Sequence, residues 1–240
     1  MGDIKPIIGV LLGSLLLVVG LLYVMGVDRS VPELSVGDDG APLDFEAPLS
    51  PEVLEEVLEE QATMAQTNDM NPVAVFTTNL GVFEIELFAE QMPITTGNFI
   101  TLAEEGYYDG IKFHRIIDGF MIQGGDPNTK TDNTASYGQG GPGFTIQDEF
   151  VAGDNLSNVR GTISMANTGQ PNSGGSQFFI NTVDNLALDF DKQPLSSKHP
   201  VFGKFVNGMD VIDTISTVET GPRDLPLEPV VIESLTIRQN

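Results

Sequence analysis

From Val73 onward, the chain consists largely of short runs rich in β-branched and aromatic residues, separated by loops rich in Gly, Asn and Ser. Runs of four to eight such residues between turn-forming residues are typical of β strands. Many short strands at this spacing predict a barrel or a sandwich, and a mainly β fold. After the first two runs, the others lie at residues 120–123, 162–166, 177–181, 201–206 and 230–237.

Local patterns predict how the domain begins and where its helices lie. Val73–Thr77 and Val82–Leu87 flank a turn that ends at Gly81, which predicts a β-hairpin. Pro93 is expected to open a helix through about Glu105, because proline is favoured at the first helical position. Gly106 is expected to end that helix, residues 210–215 predict a second short one, and the residues expected to face inward on the first are Phe99, Ile100, Leu102 and Ala103.

The composition excludes several classes of partner and site. The 240 residues carry 11 Lys+Arg against 34 Asp+Glu, a net charge of −23, which repels phosphate backbones, so no nucleic-acid partner is expected. A hydrophobic content of 40% is enough for a core and excludes a wholly disordered chain. Without cysteine there is no disulfide, thiolate nucleophile or zinc–thiolate site, and with only His114 and His199 we expect no metal site.

The charge is spread unevenly and divides the chain into three regions. Residues 1–27 hold one acidic and one basic residue, whereas residues 28–72 hold twelve acidic residues and one basic residue. The remaining negative charge is diluted over residues 73–240. We therefore predict an N-terminal anchor, an acidic linker and a globular domain, in that order.

The first region contains a candidate membrane span. Residues 7–25 form an uncharged run of 19 residues that reaches about 28 Å as a helix, close to the thickness of a bilayer's hydrocarbon core. We predict an uncleaved single-pass anchor; a cleaved signal peptide is the alternative, although the run is long for one and no A-x-A-like site follows it. Lys5 precedes the span and only Arg29 lies close behind it, so the positive-inside rule places the bulk of the chain outside the cytoplasm.

The second region, residues 28–72, has the Pro, Gly, Asp and Glu content of a solvated linker. Within it, Ser50 and Pro51 make a favourable helix start. A short amphipathic helix is predicted there, which either docks on the domain or a partner or forms a stalk of marginal stability. Its apolar stripe would comprise Val53, Leu54, Val57 and Leu58.

Four motifs in the third region carry a resemblance to a known family. They are FHRIIDGFMIQGGD at 113–126, GTISMAN at 161–167, GSQFFI at 175–180 and KHPVFG at 198–203. In this order they resemble the cyclophilin family of peptidyl-prolyl cis/trans isomerases, over about residues 73–240. The resemblance implies a closed eight-stranded antiparallel barrel capped by two helices, with the site on the outer face of the barrel.

The resemblance also implies a site for proline-containing polypeptides that uses no metal and no cofactor. Arg115 would donate to the prolyl nitrogen, Gln123 would orient Arg115 and the substrate carbonyl, and His114 would be a supporting residue. The proline slot would be walled by Phe120, Met121, Phe179 and Leu188, with His199 at its rim. The peptide backbone would be held by Ala166, Asn167 and Gln177.

The chain departs from the family pattern in two places. Many members have a Trp immediately before the position of Leu188, but Ala187 stands there, so affinity for cyclosporin-type ligands is doubtful while turnover is still expected. An insertion at residues 190–197 replaces the usual short turn. The stretch 138–143 matches G-x-G-x-x-G, but it lacks the strand–turn–helix context of a dinucleotide site.

Three functions remain open at the level of the sequence. The first is a membrane-tethered prolyl isomerase that assists protein folding near the membrane. The second is a proline-peptide binding module without useful turnover, which the intact Arg115, Gln123 and Phe179 argue against. The third is a scaffold that acts through the acidic linker.

Overall fold

The computed structural model describes residues 71–153, 156–192 and 198–239. The predicted anchor at 1–27 and nearly all of the linker at 28–72 lie outside these ranges, as does most of the insertion at 190–197. No helix within the described ranges is long and apolar enough to cross a membrane.

The described part of the chain forms eight strands and two α-helices. The helices are α1 (Pro93–Glu104) and α2 (Met209–Ser216). Helix α1 begins and ends within one residue of the prediction, and Gly106 beyond it has φ +68°, which glycine adopts without strain. The strands are β1 (Val73–Thr78), β2 (Gly81–Leu87), β3 (Arg115–Ile117), β4 (Met121–Gly124), β5 (Thr162–Met165), β6 (Phe178–Asn181), β7 (Val201–Asn207) and β8 (Ile232–Arg238).

All eight strands belong to one sheet of antiparallel pairs, in the order β3-β4-β6-β5-β7-β2-β1-β8. The predicted β1–β2 hairpin is present, with Thr77 opposite Val82. The mainly β fold predicted from the spacing of the runs is therefore confirmed.

The prediction of a closed barrel is wrong, because β3 and β8 end the strand order without a ladder between them. A single bridge joins Lys112 to Val231, and the Phe113 N–H donates to the Val230 carbonyl at 2.9 Å. Strand β3 contributes only three residues, all of which pair with β4. The sheet is consequently an open half-barrel.

The core lies between the inner face of the sheet and α1. In β2 the side chains of Phe83, Ile85 and Leu87 are buried, as the two-residue period of a strand requires. The ring of Phe178 lies at the centre of an aromatic cluster, with centroid distances of 5.7 Å to Phe76, 5.8 Å to Phe99 and Tyr108, and 6.2 Å to Phe113. This packing fixes β6 relative to its neighbours, and β6 carries part of the site on its other face.

Candidate active site

Three neighbouring strands place the central residues of the site directly opposite one another. Arg115 on β3 pairs with Gln123 on β4, and Gln123 pairs with Phe179 on β6. Residues that face each other in an antiparallel pair project from the same side of the sheet. Because Phe178 points into the core, Phe179 and its two partners project from the outer face, where the resemblance implies the site.

A chain of amides runs across this face. The side-chain nitrogen of Gln123 donates to the side-chain oxygen of Gln177 at 3.0 Å. The side-chain nitrogen of Gln177 in turn donates to the main-chain carbonyl of Gly140 at 2.8 Å. The main-chain carbonyl of Gln177 accepts from the Ala166 N–H at 3.0 Å. The two glutamines therefore tie the 138–141 loop to the sheet, and the Gln123 amide is held by Gln177.

Ala166 and Asn167 follow β5 and line a groove of about 440 Å³ together with Gln123 and Gln177. The Asn167 side chain donates to the Lys198 carbonyl at 2.6 Å. Within the described ranges, neither the main-chain N–H nor the carbonyl of Asn167 takes part in a hydrogen bond. Both groups are thus available to an extended peptide.

The apolar part of the site is built on Phe179 and Met121, which are both buried. The His199 ring packs edge-on against Phe179, with centroids 5.1 Å apart. The His199 N–H donates to the Leu188 carbonyl at 3.0 Å, which brings the short turn Leu186–Leu188 to the same wall. Phe120 is half-buried in the turn immediately before Met121.

A buried carboxylate that sequence reasoning missed holds this wall in place. Asp189 accepts from the Asn158 N–H at 2.7 Å and from the Asn158 side chain at 2.8 Å. The Asn158 side chain also donates to the His199 carbonyl at 3.1 Å. Because Asp189 directly follows Leu188, these bonds join Leu188 and His199 through Asn158, which lies 31 residues before Asp189.

Burial favours the neutral form of both histidines. Burial lowers the pKa of His199, and the contact between its Nδ1 and the Met165 carbonyl, at 3.0 Å, acts in the opposite direction. Burial lowers the pKa of His114 to about 4; Asp126 opposes this change and Arg115 adds to it. His114 directly precedes Arg115 in the chain and has only 6% of its surface exposed, which suits a supporting residue.

Arg115 has a partner that the motifs did not indicate. Its Nε donates to Oδ2 of Asp224 at 3.4 Å, and no hydrogen bond joins its side chain to Gln123 within the described ranges. Asp224 lies 109 residues away, in a loop without a recognisable motif, so nothing in the sequence indicated this contact. A cavity of about 330 Å³ opens beside the pair, also lined by Tyr137 and Arg223.

The structure therefore brings together Arg115, Gln123 and Gln177 on one side and Met121, Phe179, Leu188 and His199 on the other, with Ala166 and Asn167 beside them. The described part of the chain contains no group of three or more His, Asp or Glu residues placed to hold a metal ion. The roles that the resemblance implies for these residues remain predictions.

Comparisons with known proteins agree with this arrangement. The family described as "Cyclophilin type peptidyl-prolyl cis-trans isomerase/CLD" matches residues 73–237. The chain is 40% identical over 186 residues to a putative peptidyl-prolyl cis-trans isomerase of Staphylococcus aureus, covering 69% of this chain and 91% of that protein. It is also 41% identical over 194 residues to a putative bifunctional phosphatase/peptidyl-prolyl cis-trans isomerase of Streptococcus pyogenes. That match covers 71% of this chain but only 39% of the length of the Streptococcus protein.

A solved structure shares the fold. The crystal structure of a Cryptosporidium parvum cyclophilin type peptidyl-prolyl cis-trans isomerase, determined in the presence of the dipeptide Ala-Pro, is 32% identical with a TM-score of 0.58. The match covers 70% of this chain and 99% of that one. The chain belongs to the cyclophilin-type peptidyl-prolyl cis/trans isomerases and is an enzyme of that class.

Proposed function

We propose that the groove on the outer face binds X-Pro segments of polypeptides and that Arg115 is the group that accelerates their rotation. Rotation about a peptide bond must cross about 18–20 kcal/mol, because resonance gives the C–N bond partial double-bond character. No bond is made or broken, so the enzyme needs only to bind the twisted amide more tightly than either planar isomer.

Twisting the amide leaves a lone pair on the prolyl nitrogen that the planar forms do not have. A fixed donor aimed at that nitrogen stabilises the transition state selectively, and each 1.36 kcal/mol of such selectivity gives about tenfold in rate. Arg115 is always protonated and presents a planar set of N–H groups. Its position opposite Gln123 on the strand next to the apolar wall is the observation that carries the proposal.

The proline ring would enter the slot walled by Phe120, Met121, Phe179 and Leu188, with His199 at its rim. Apolar side chains suit a ring that has no hydrogen-bond donor. The main-chain groups of Asn167 would pair with the peptide on the proline's flank, with Ala166 and Gln177 beside it. The related Cryptosporidium protein, crystallised in the presence of Ala-Pro, supports a proline-containing peptide as the occupant.

The second part of the proposal concerns location. Residues 7–25 would anchor the chain in the membrane, with the domain outside the cytoplasm, where it would assist the folding of proteins near the membrane. The uncharged run and the slight excess of positive charge before it support this.

The full chain in detergent is the sample for the first test, with a short X-Pro peptide whose cis-to-trans exchange is followed in time. Uncatalysed exchange takes tens to hundreds of seconds, so acceleration is measured directly against a blank. We expect acceleration that EDTA leaves unchanged, whereas loss of activity on chelation would contradict a mechanism that uses no metal. Peptide binding without any acceleration would favour the alternative of a proline-peptide binding module.

A further inference from the structure

The turn Pro222–Asp224 reaches Arg115 from a distant part of the chain. We propose that Asp224 is a positioning residue: its carboxylate holds Nε of Arg115 and so aims the two terminal nitrogens of the guanidinium at the substrate amide. The inference rests on the proposed role of Arg115 and extends it to a residue that lies outside the motifs carrying the family resemblance.

The turn Pro222–Asp224 is built to hold Asp224 in place. Arg223 and Asp224 have φ values of 66° and 58°, a left-handed conformation that residues other than glycine rarely adopt. The Gly221 N–H donates to the Leu225 carbonyl at 2.8 Å, and Nη2 of Arg223 donates to the Thr134 carbonyl at 2.6 Å. Contacts on both sides of Asp224 thus impose the unusual backbone.

The Asp224 carboxylate contacts one particular nitrogen of the Arg115 guanidinium. A guanidinium has five N–H donors, one on Nε and four on the terminal nitrogens. Asp224 accepts from Nε alone, and no residue in the described ranges accepts from Nη1 or Nη2 of Arg115. The contact therefore restrains the plane of the guanidinium and leaves its terminal donors free for a substrate.

The contact between Arg115 and Asp224 contributes little to stability. The side chains of Arg115 and Asp224 are 42% and 46% exposed. Ion pairs at this exposure add little to the free energy of unfolding, because water screens them and two long side chains lose rotamer freedom. If the Arg115 side chain is ordered before the substrate binds, its loss of rotamer freedom does not add to the barrier for rotation of the X-Pro bond. The contact should therefore affect kcat more than stability.

The test compares Asp224→Ala and Asp224→Asn with the unaltered chain, using full-length protein and a short X-Pro peptide. Asp224→Ala should lower kcat about fivefold, the scale of one exposed charge contact, with KM nearly unchanged. The kcat of Asp224→Asn should lie between those of Asp224→Ala and the unaltered chain. Asn tolerates the left-handed backbone and keeps one acceptor, but it lacks the charge. If Asp224→Ala does not fold, the kcat of Asp224→Asn tests the positioning role.

A matched control exists elsewhere on the surface. Asp213 pairs with Arg160 at 2.8 Å, with side chains 53% and 43% exposed. Asp213→Ala removes the same charge and a similar ion pair, and its kcat should equal that of the unaltered chain. Added salt should lower kcat of the unaltered chain and not that of Asp224→Ala, because salt screens exposed pairs.

Each result bears on the inference separately from the proposed function. Unchanged or raised kcat in both Asp224 variants, alongside a large loss in Arg115→Ala, would overturn the positioning role and leave Arg115 as the donor. A change in KM alone would overturn it as well, since it would show a binding contact. If the unaltered chain gives no acceleration, the proposed function itself fails and the inference fails with it.

Discussion

At the scale of single residues, the two faces of β6 explain how one short motif contributes both to the core and to the proposed site. Phe178 and Phe179 are adjacent, and neighbouring side chains in a strand point to opposite faces. Phe178 contacts four aromatic rings of the core, whereas Phe179 contacts His199 on the outer face. A shift of β6 by one residue would exchange these positions and remove the apolar wall.

The first prediction concerns Arg115. Arg115→Ala should lower kcat/KM by about 100- to 1000-fold, the loss expected for a donor used chiefly in the transition state. Arg115→Lys should remain impaired, because an ammonium does not present the planar donors of a guanidinium. Circular dichroism should show unchanged folding, since the Arg115 side chain is 42% exposed. A loss of less than threefold would rule out Arg115 as the donor.

The second prediction concerns His114 and pH. The unfolded chain protonates this histidine near pH 6.5, and the folded chain only near pH 4, because burial lowers its pKa. Between those values the unfolded state binds more protons, so the free energy of unfolding falls as pH falls, by up to about 1.4 kcal/mol per pH unit. The lowered pKa of His199 makes the free energy of unfolding depend on pH in the same direction.

Urea titrations at several pH values between 7.5 and 5 measure this effect. His114→Gln should show a smaller loss of stability with falling pH than the unaltered protein does. Parallel curves for the two proteins would mean that His114 does not titrate with a lowered pKa. Carboxylates titrate mainly below this window, so they affect the comparison little.

At the scale of elements, α1 lacks a cap of its own. The residue before it is Met92, which supplies no side-chain hydrogen bond, so the first N–H groups of the helix need another acceptor. Glu149, 55 residues after Ile94, accepts from the Ile94 N–H at 3.0 Å and from the Thr95 N–H at 2.8 Å. A negative charge at a helix N-terminus also interacts favourably with the helix dipole.

The third prediction follows from this cap. Glu149→Gln should lower the free energy of unfolding by about 1 kcal/mol, because it removes the charge and one of two strong acceptors. Chemical denaturation measures the loss, and faster amide exchange at Ile94 and Thr95 would assign it to α1. The exposed Glu90 provides a control, and equal stabilities of the Glu149→Gln and Glu90→Gln proteins would contradict the capping role.

At the scale of the whole molecule, we predict that the acidic chain is divided into regions with different tasks. The family match covers residues 73–237, and the residues before it hold the uncharged run and the acidic linker. Peptide contacts in the proposed site come from the strands and loops of the domain. We therefore expect the first 70 residues to govern where the enzyme acts, and the domain to govern turnover.

The fourth prediction is that the full chain stays in the membrane fraction after salt and carbonate washing, held by residues 7–25. Protease added to intact cells or spheroplasts should release the domain by cutting within the acidic linker. A released form that begins near Val27 or Asp28 would show signal-peptide cleavage instead. Protection from external protease would reverse the topology without affecting the isomerase assignment.

The sequence by itself was sufficient to predict much of the fold and the family. Strand alternation in Val82–Leu87, proline at the start of α1 and glycine beyond its end are local signals, and local signals survive in the folded chain. The four motifs contain most of the residues that the structure brings together on the outer face, because each motif spans the turn or strand that carries its members; Leu188 lies outside them.

Contacts between segments that are distant in sequence became visible only in the folded molecule. Glu149 caps α1, Asp189 fixes the wall at Leu188 and His199, and Asp224 reaches Arg115, yet each acts over tens of residues or more. An isolated carboxylate in a polar loop has the same local pattern whether it is solvated or holds a distant donor. The sequence also did not predict that the sheet stays open between β3 and β8. That feature depends on how many residues of two segments, distant in sequence, pair before the segments diverge.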